Sequence, residues 1–171
     1  SLVLALQAQR RESMPFIWFW PEGFPSCAMI THDVEADAGL KFCPTLMDIN
    51  DSYGIKSSFQ LVPEKRYQVS DADLARFRDR GFEVNVHDLN HDGHLYSNRD
   101  EFLRRVSKIN QYARSFGARG FRSGAMYRNL DWYDAFEFSY DMSVPNVGHL
   151  EAQGGGCCSI RPYFINGMVE L

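Results

Sequence analysis

The chain has 171 residues, a formal net charge of −4, 44% hydrophobic residues and 23% charged residues. This length predicts a single domain with its own core, and the composition argues against collagen, a coiled coil and wholesale disorder. A pI near 5.7 and the lack of a long basic run argue against a nucleic-acid partner. No stretch approaches the roughly 20 apolar residues of a membrane span.

Short apolar strands alternate with amphipathic helices along the chain. In chain order, the pattern predicts a strand over 26–31, a helix over 39–52, a strand over 55–62, a helix after Ser70, a strand over 82–86, a helix capped by Ser97 or Asn98, strands over 120–122 and 138–144, and a hairpin turning at Asn166-Gly167. Repeated strand-helix units imply parallel strands with crossovers. An open doubly wound sheet and a (β/α) barrel both fit this α/β pattern.

The two ends of the chain and its cysteines add little to this pattern. Residues 1–25 are predicted to be an N-terminal extension and residues 26–171 the domain. Because the chain begins without Met and stops at Leu171 in what reads as a strand, we expect it to be a piece of a longer protein. The N-terminal segment lacks a basic region before its apolar run, so no signal peptide is predicted and the compartment stays open.

Cys27 and Cys43 lie in apolar runs and are predicted core residues.

Polar residues follow the first predicted strand at 31–35. Residues two apart in an extended segment point the same way, so Asp33 and Glu35 are expected to face one cavity while Val34 turns toward the core. Two such carboxylates repel each other unless a cation or an arginine lies between them. The alternative interpretation is an acidic cluster, including Asp37, that complements a helix dipole.

Three of the five histidines fall within residues 87–94, directly after the third predicted strand. His87 and His91 are four apart, so a helical turn would place both imidazoles on one face at a separation that a metal ion can bridge. His94 is interpreted as a solvated or otherwise satisfied histidine. This cluster predicts a metal site at the strand end.

The fourth predicted strand ends in Arg122, which is followed by the small residues Ser123, Gly124 and Ala125. An arginine in such surroundings can reach inward to a carboxylate, and small residues leave backbone N–H groups open to a substrate oxygen. The alternative is a surface turn with a solvated arginine. Reactive groups of parallel α/β folds gather at the carboxyl ends of strands, where all three clusters lie.

Together the three clusters resemble the polysaccharide deacetylases, the NodB homology domain of carbohydrate esterase family 4. Residues 31–35 are similar to the family's first motif (usually Thr-Phe-Asp-Asp-Gly), residues 87–91 to its second (His-Ser/Thr-x-x-His) and residues 121–124 to its third, built around an arginine. The resemblance implies a deformed (β/α) barrel, here incomplete at its C-terminus. It also implies removal of acetyl groups from an N-acetylated oligo- or polysaccharide.

The resemblance further implies a divalent metal, usually zinc. His87 and His91 take the positions of the two histidine ligands. Val34 stands where the family's metal-binding carboxylate normally follows the base, and Glu35 takes that role as in relatives that read Asp-x-Asp.

The catalytic roles follow from the same resemblance. Asp33 takes the position of the general base, Arg122 that of the arginine that orients it, and the backbone N–H of Ala125 that of the oxyanion donor.

Two departures from the family pattern keep alternatives open. Asp88 replaces the Ser/Thr of the second motif, and no Leu-x-His run, which supplies the catalytic acid, follows the third motif. His149 lies in the order Gly-His-Leu instead. A linear-amide hydrolase on the same scaffold and a non-catalytic module that binds metal or glycan therefore remain as alternatives to the N-deacetylase.

Overall fold

The computed structural model describes residues 20–148 and 152–171, together with Gln9. Its helices and strands are β1 (Thr31–Val34), α1 (Asp37–Ser52), β2 (Ser58–Leu61), α2 (Asp71–Asp79), β3 (Glu83–His87), α3 (Arg99–Phe116), β4 (Gly120–Arg122), β5 (Tyr140–Asp141), β6 (Tyr163–Ile165) and β7 (Met168–Glu170). Short 3-10 turns occupy Pro21–Gly23, Gly124–Met126 and Leu130–Ala135. Of the predicted extension 1–25, only Gln9 and residues 20–25 are described, and His149 lies outside the described residues.

The strands form one seven-stranded sheet in the order β1-β2-β3-β4-β5-β7-β6. Every neighbouring pair is parallel except the β6–β7 hairpin, which is antiparallel. The first five strands lie in the order of the chain, without the reversal that marks a doubly wound sheet. This one-directional order is that of a (β/α) barrel and decides between the two predicted architectures.

Local capping signals set the helix ends. Ser70 forms a capping box with Asp73 at the start of α2, and the side chain of Asn98 accepts a hydrogen bond from the Glu101 N–H at the start of α3. Gly117 ends α3 in the left-handed conformation, with a φ of 66°. The predicted helices are therefore found, each starting within two residues of its expected position.

Alternate residues of the central strands face opposite sides of the sheet. On one side Phe59 and Val86 are fully buried against the helices, and the Phe59 ring centroid lies 4.8 Å from that of Phe77 on α2. On the other side Gln60 and Asn85 are equally buried but polar. The apolar face holds the core, and the polar face underlies the strand ends that carry the candidate site.

The structure corrects two predicted strands and one cysteine. The first strand is not 26–31 but Thr31–Val34, because residues 26–30 are exposed and only the polar segment pairs in register with β2. The strand predicted over 138–144 is limited to Tyr140–Asp141, the two residues that pair with both β4 and β7. Cys27 is exposed and not part of the core, whereas Cys43 is buried as predicted.

Among the residues that the structure describes, no helix combines the length and apolar character needed to cross a bilayer.

Candidate metal centre

The end of β1 delivers two carboxylates to one side. Val34 is 3% exposed and packs in the core, so its neighbours Asp33 and Glu35 project to the opposite face, as the alternation predicted. The Tyr67 hydroxyl donates to the carbonyl of Val34 and accepts the N–H of Val62 at 2.8 Å. Tyr67 therefore holds the segment between the two carboxylates against the end of β2.

Glu35 meets both predicted histidines. Its Oε1 lies 3.5 Å from His87 Nε2 and 3.2 Å from His91 Nε2, and one ligand atom from each residue falls within 4.8 Å of the others. The two imidazole rings are 4.7 Å apart, centroid to centroid, and nearly edge to face. Three side chains separated by up to 56 positions in the sequence thus converge on one point at the strand ends.

The hydrogen bonds of His87 leave one ring nitrogen free for a ligand. Its Nδ1 lies 3.0 Å from the Arg122 carbonyl, which can only accept, so Nδ1 carries the proton and, in the neutral imidazole, the lone pair lies on Nε2. Nε2 is buried and has no hydrogen-bond partner among the described residues. A histidine oriented through its second nitrogen by a backbone carbonyl is the usual arrangement of a metal ligand.

This donor set fits a divalent cation. Two imidazoles and one carboxylate suit first-row divalent metals, and three protein ligands leave positions open for water or substrate. The buried, unpartnered Nε2 of His87 is the observation that a bound ion would explain, since a buried polar atom without a partner is costly. Glu35, His87 and His91 could therefore hold a metal ion.

His91 reaches the site from an irregular loop, which corrects the predicted helical turn. His87 is the last residue of β3, and the backbone of Asp88 and His91 adopts positive φ angles of 58° and 51°. Arg66 holds this loop by donating to the carbonyls of Asn90 and His91 at 3.3 and 2.5 Å. Tertiary hydrogen bonds, and not helical periodicity, bring the two rings together.

Asp88 packs directly behind the histidines. Its side chain is buried, and burial raises the pKa of its carboxyl, against the opposing effect of the hydrogen bond from the Leu89 N–H. Gly124 fits against it, because a Cβ added at Gly124 would lie 2.7 Å from Asp88 Oδ2 and 3.2 Å from His91 Cδ2. The lack of a side chain at Gly124 is therefore needed for the third motif, residues 121–124, to pack against the second motif, residues 87–91.

Arg122 links β4 to β1 and to the residue that follows β5. Its Nη1 donates to Asp33 Oδ1 at 3.0 Å and to Thr31 Oγ1 at 3.1 Å, and its Nε donates to the Met142 carbonyl at 3.3 Å. The other oxygen of Asp33 lies 4.0 Å from His87 Nε2. Arg122 is therefore not a solvated surface arginine: of the two arrangements that the sequence left open, the structure has the one in which it reaches inward to the carboxylate.

Ala125 lies beside Gly124 in the 3-10 turn that follows β4. It is exposed and has a φ of 53°, and Met126 after it has a φ of 55°. Two successive non-glycine residues in the left-handed region cost energy that the surrounding structure must offset, and such strain concentrates at functional sites.

Sequence reasoning missed several residues that shape the site. Tyr67 and Arg66 belong to no motif, and only the fold shows that they contact Val34 and the His91 loop. Thr31 begins the first motif, but its contact with Arg122 was not predicted. Trp132 and Tyr133 belong to the aromatic packing: Tyr133 is fully buried, and the Trp132 ring lies 5.2 Å from that of Phe102.

Comparison with known proteins finds relatives by structure only. No protein-family model matches the chain, and no curated protein sequence matches it significantly. A candidate polysaccharide deacetylase from Mycobacterium smegmatis superposes with a TM-score of 0.64 at 17% identity, over 89% of this chain and 60% of that one.

Two further solved structures are similar. A mutant of a CE4 family pseudoenzyme with restored enzymatic activity gives a TM-score of 0.55 at 19% identity, over 67% of this chain and 43% of that one. A family 4 acetyl xylan esterase from Clostridium thermocellum, in complex with a cobalt ion, gives 0.51 at 18% identity, over 67% and 56%. The chain therefore spans 60% or less of the length of each of these structures.

These likenesses confirm the expected fold class. The chain has an α/β fold with a mostly parallel seven-stranded sheet of the kind found in NodB-type deformed barrels. The resemblance to the polysaccharide deacetylases is thereby confirmed at the level of the fold, while activity has to be argued from the site itself.

Proposed function

We propose that residues 26–171 belong to a metal-dependent hydrolase that removes N-acetyl groups from an N-acetylated glycan, with residues 1–25 as an N-terminal extension. One observation carries the proposal: Glu35, His87 and His91 converge within 4.8 Å beside a carboxylate, Asp33, that an arginine holds. A candidate metal centre next to an oriented base is the arrangement that amide hydrolysis by activated water needs.

The proposed metal ligands are Glu35, His87 and His91, and the proposed ion is zinc. A divalent cation in such a site acts as a Lewis acid and lowers the pKa of water toward neutrality. The hydrogen bond from His87 Nδ1 to the Arg122 carbonyl supports this assignment, because it holds the ring with Nε2 toward the site.

Asp33 is the proposed general base. Its Oδ1 accepts a hydrogen bond from Arg122, which fixes the orientation of the carboxylate, while Oδ2 faces His87 Nε2 at 4.0 Å. In this position Asp33 can take the proton of the water that attacks the acetyl carbonyl. A correctly placed base typically contributes 10²–10⁴-fold to the rate.

The backbone N–H of Ala125 is the proposed oxyanion donor. The left-handed backbone at Ala125 turns the chain immediately after Gly124, which packs against Asp88 and His91. Removing one such donor costs typically about 3–4 kcal/mol of transition-state stabilisation. The proposed substrate is an N-acetylated oligo- or polysaccharide, in line with the deacetylase and acetyl-esterase names of the structural relatives.

A second candidate is a catalytically incomplete module that binds metal or glycan. It is supported by the lack of a Leu-x-His run after the third motif in these 171 residues and by the existence of a CE4 pseudoenzyme with a related fold. Without an acid to protonate the leaving amine, turnover would be slow even if the metal bound normally.

Metal titration combined with an acetate assay tests both candidates. Purified protein is titrated with Zn²⁺ and Co²⁺, and acetate release from chitin oligomers and peptidoglycan is measured with and without added zinc. We expect one ion per chain and zinc-dependent acetate release, both lost in His87→Ala. His94→Ala is the matched control, because His94 is exposed and its ring contacts Ser97 at 3.4 Å.

The outcomes separate the proposals. Metal binding without acetate release favours the binding module over the enzyme. Unchanged metal stoichiometry in His87→Ala would show that the assigned ligands are wrong.

A further inference from the structure

The loop that carries His91 is held by a buried arginine outside the three motifs. Arg105 lies on α3, fourteen positions after His91, and its side chain is only 7% exposed. A buried guanidinium requires anionic or carbonyl partners for its five donors, so its contacts are specific and not incidental.

The loop contacts of Arg105 are with Asn90 and Asp92, the two residues that flank His91. Arg105 Nη1 donates to Asn90 Oδ1 at 3.0 Å and to Asp92 Oδ1 at 2.6 Å, and Nη2 donates to Asp92 Oδ2 at 3.0 Å. The guanidinium thus forms a two-pronged pair with Asp92 and a further bond to Asn90, the residues on either side of His91. Bidentate arginine-carboxylate pairs combine strength with geometric specificity.

The rest of the environment fixes Arg105 on its helix. Its Nε donates to Glu101 on the preceding turn of α3, so the buried charge lies between two carboxylates, those of Glu101 and Asp92. Since α3 packs on the core through Phe102 and Val106, the guanidinium transmits the position of a rigid helix to the loop. The backbone carbonyl of His91 is held from the other side by Arg66.

We propose that Arg105 is the positioning residue of the metal centre: by binding Asn90 and Asp92 it holds His91 in its left-handed conformation with the imidazole facing Glu35 and His87. This inference rests on the proposed function, since it assigns a role toward the ion that the three ligands would hold. A loop without this arginine would leave His91 free to sample other backbone conformations, and a ligand that must be ordered on binding lowers affinity.

The test compares two identical substitutions on neighbouring residues. Arg105→Met removes the loop contacts. Arg104→Met is the matched control, because Arg104 is mostly exposed and, among the residues that the structure describes, its guanidinium donates to Glu101 alone. Both variants lose a bond to Glu101, so their difference reports the contacts to Asn90 and Asp92.

Co²⁺ is the probe. We expect Arg105→Met to bind Co²⁺ about 10–100-fold more weakly than the wild-type protein, as is typical when the support of a ligand is removed. Arg104→Met is expected to stay within about 2-fold of wild type, because its guanidinium does not touch the loop. At saturating Co²⁺, the d–d absorption spectrum of Arg105→Met should differ from that of wild type, because His91 coordinates in altered geometry. A purely structural role would lower the unfolding midpoint without changing the spectrum of the bound ion.

Asp92→Asn provides a second variant if Arg105→Met does not fold, since it weakens the same pair while leaving α3 intact. It should also weaken Co²⁺ binding. A folded Arg105→Met or Asp92→Asn with the affinity and spectrum of wild type overturns the positioning role alone. Failure of the wild-type protein to bind Co²⁺ overturns the proposed metal centre, and the positioning role with it.

Discussion

Replacing Glu170 by glutamine should stabilise the protein at neutral pH by removing an ionisable group from its core. Glu170 is 1% exposed and lies next to Asp141 across the β5–β7 pair. Its Oε1 accepts the N–H of Val144 at 2.9 Å, and its Oε2 has no partner among the described residues. Burial, and after it the charge of Asp141, raises the pKa of Glu170 well above its usual range, so the side chain stays protonated at neutral pH.

The magnitude follows from proton linkage. A carboxyl whose pKa is raised by folding contributes its full stability below the unfolded pKa of about 4.3 and loses it as the pH rises toward the folded pKa. Each pH unit in that window lowers the free energy of unfolding by about 1.4 kcal/mol. Between pH 5 and pH 8 the wild-type protein should therefore lose about 4 kcal/mol through Glu170, and Glu170→Gln should not.

Urea unfolding of both proteins at pH 5 and pH 8 measures this difference. Because the groups outside the Asp141–Glu170 pair titrate in both proteins, the change in the stability difference between the two pH values reports the loss of Glu170 from this pair. It is independent of any fixed cost of the amide. Glu137→Gln is the control, since Glu137 is exposed and pairs with Arg114. An equal pH slope in Glu170→Gln and wild type would refute the reasoning and show that Glu170 ionises in the folded state.

Three further predictions concern the site and its supports. Gly124→Ala should lower the free energy of unfolding by about 1–3 kcal/mol and weaken Co²⁺ binding, because its Cβ would meet Asp88 and His91; urea unfolding and Co²⁺ titration check this. Asn98→Ala should cost about 1 kcal/mol by removing the cap of α3, measured by thermal unfolding, while leaving Co²⁺ affinity unchanged. Asp33→Asn should reduce acetate release by about 10²–10⁴-fold while the protein still binds Co²⁺, and loss of binding would place Asp33 among the ligands.

The parts of the fold that depend on local sequence could be predicted from it. Ser70 caps its helix as predicted, and Asn98, one of the two predicted candidates, caps α3, because a cap needs only the residues of the adjacent turn. The prediction of a first strand over 26–31 is wrong, because an apolar run indicates burial only if a neighbouring strand or helix covers it. β1 instead lies where backbone groups find partners on β2.

The candidate site also has a part that the local sequence predicts and a part that it does not. Alternation along an extended segment was enough to predict that Asp33 and Glu35 share a face, and the structure brings Glu35 to the two histidines. The helical turn expected for His87 and His91 is wrong, because the loop between them is shaped by Arg66 and other distant residues that no local pattern identifies. Parallel topology was enough to infer which strand ends lie together. It did not indicate which side chains support them.

The bonds of Arg122 carry a consequence for the shape of the sheet. β4 and β1 are separated by β2 and β3, so in a flat sheet they would lie about 14 Å apart, at roughly 4.8 Å for each strand spacing, beyond the length of one arginine side chain. Yet the Arg122 guanidinium touches both Thr31 and Asp33 on β1. The sheet must therefore curl around this side chain, and any change that flattens the curl would pull the carboxylate of Asp33 away from its cation.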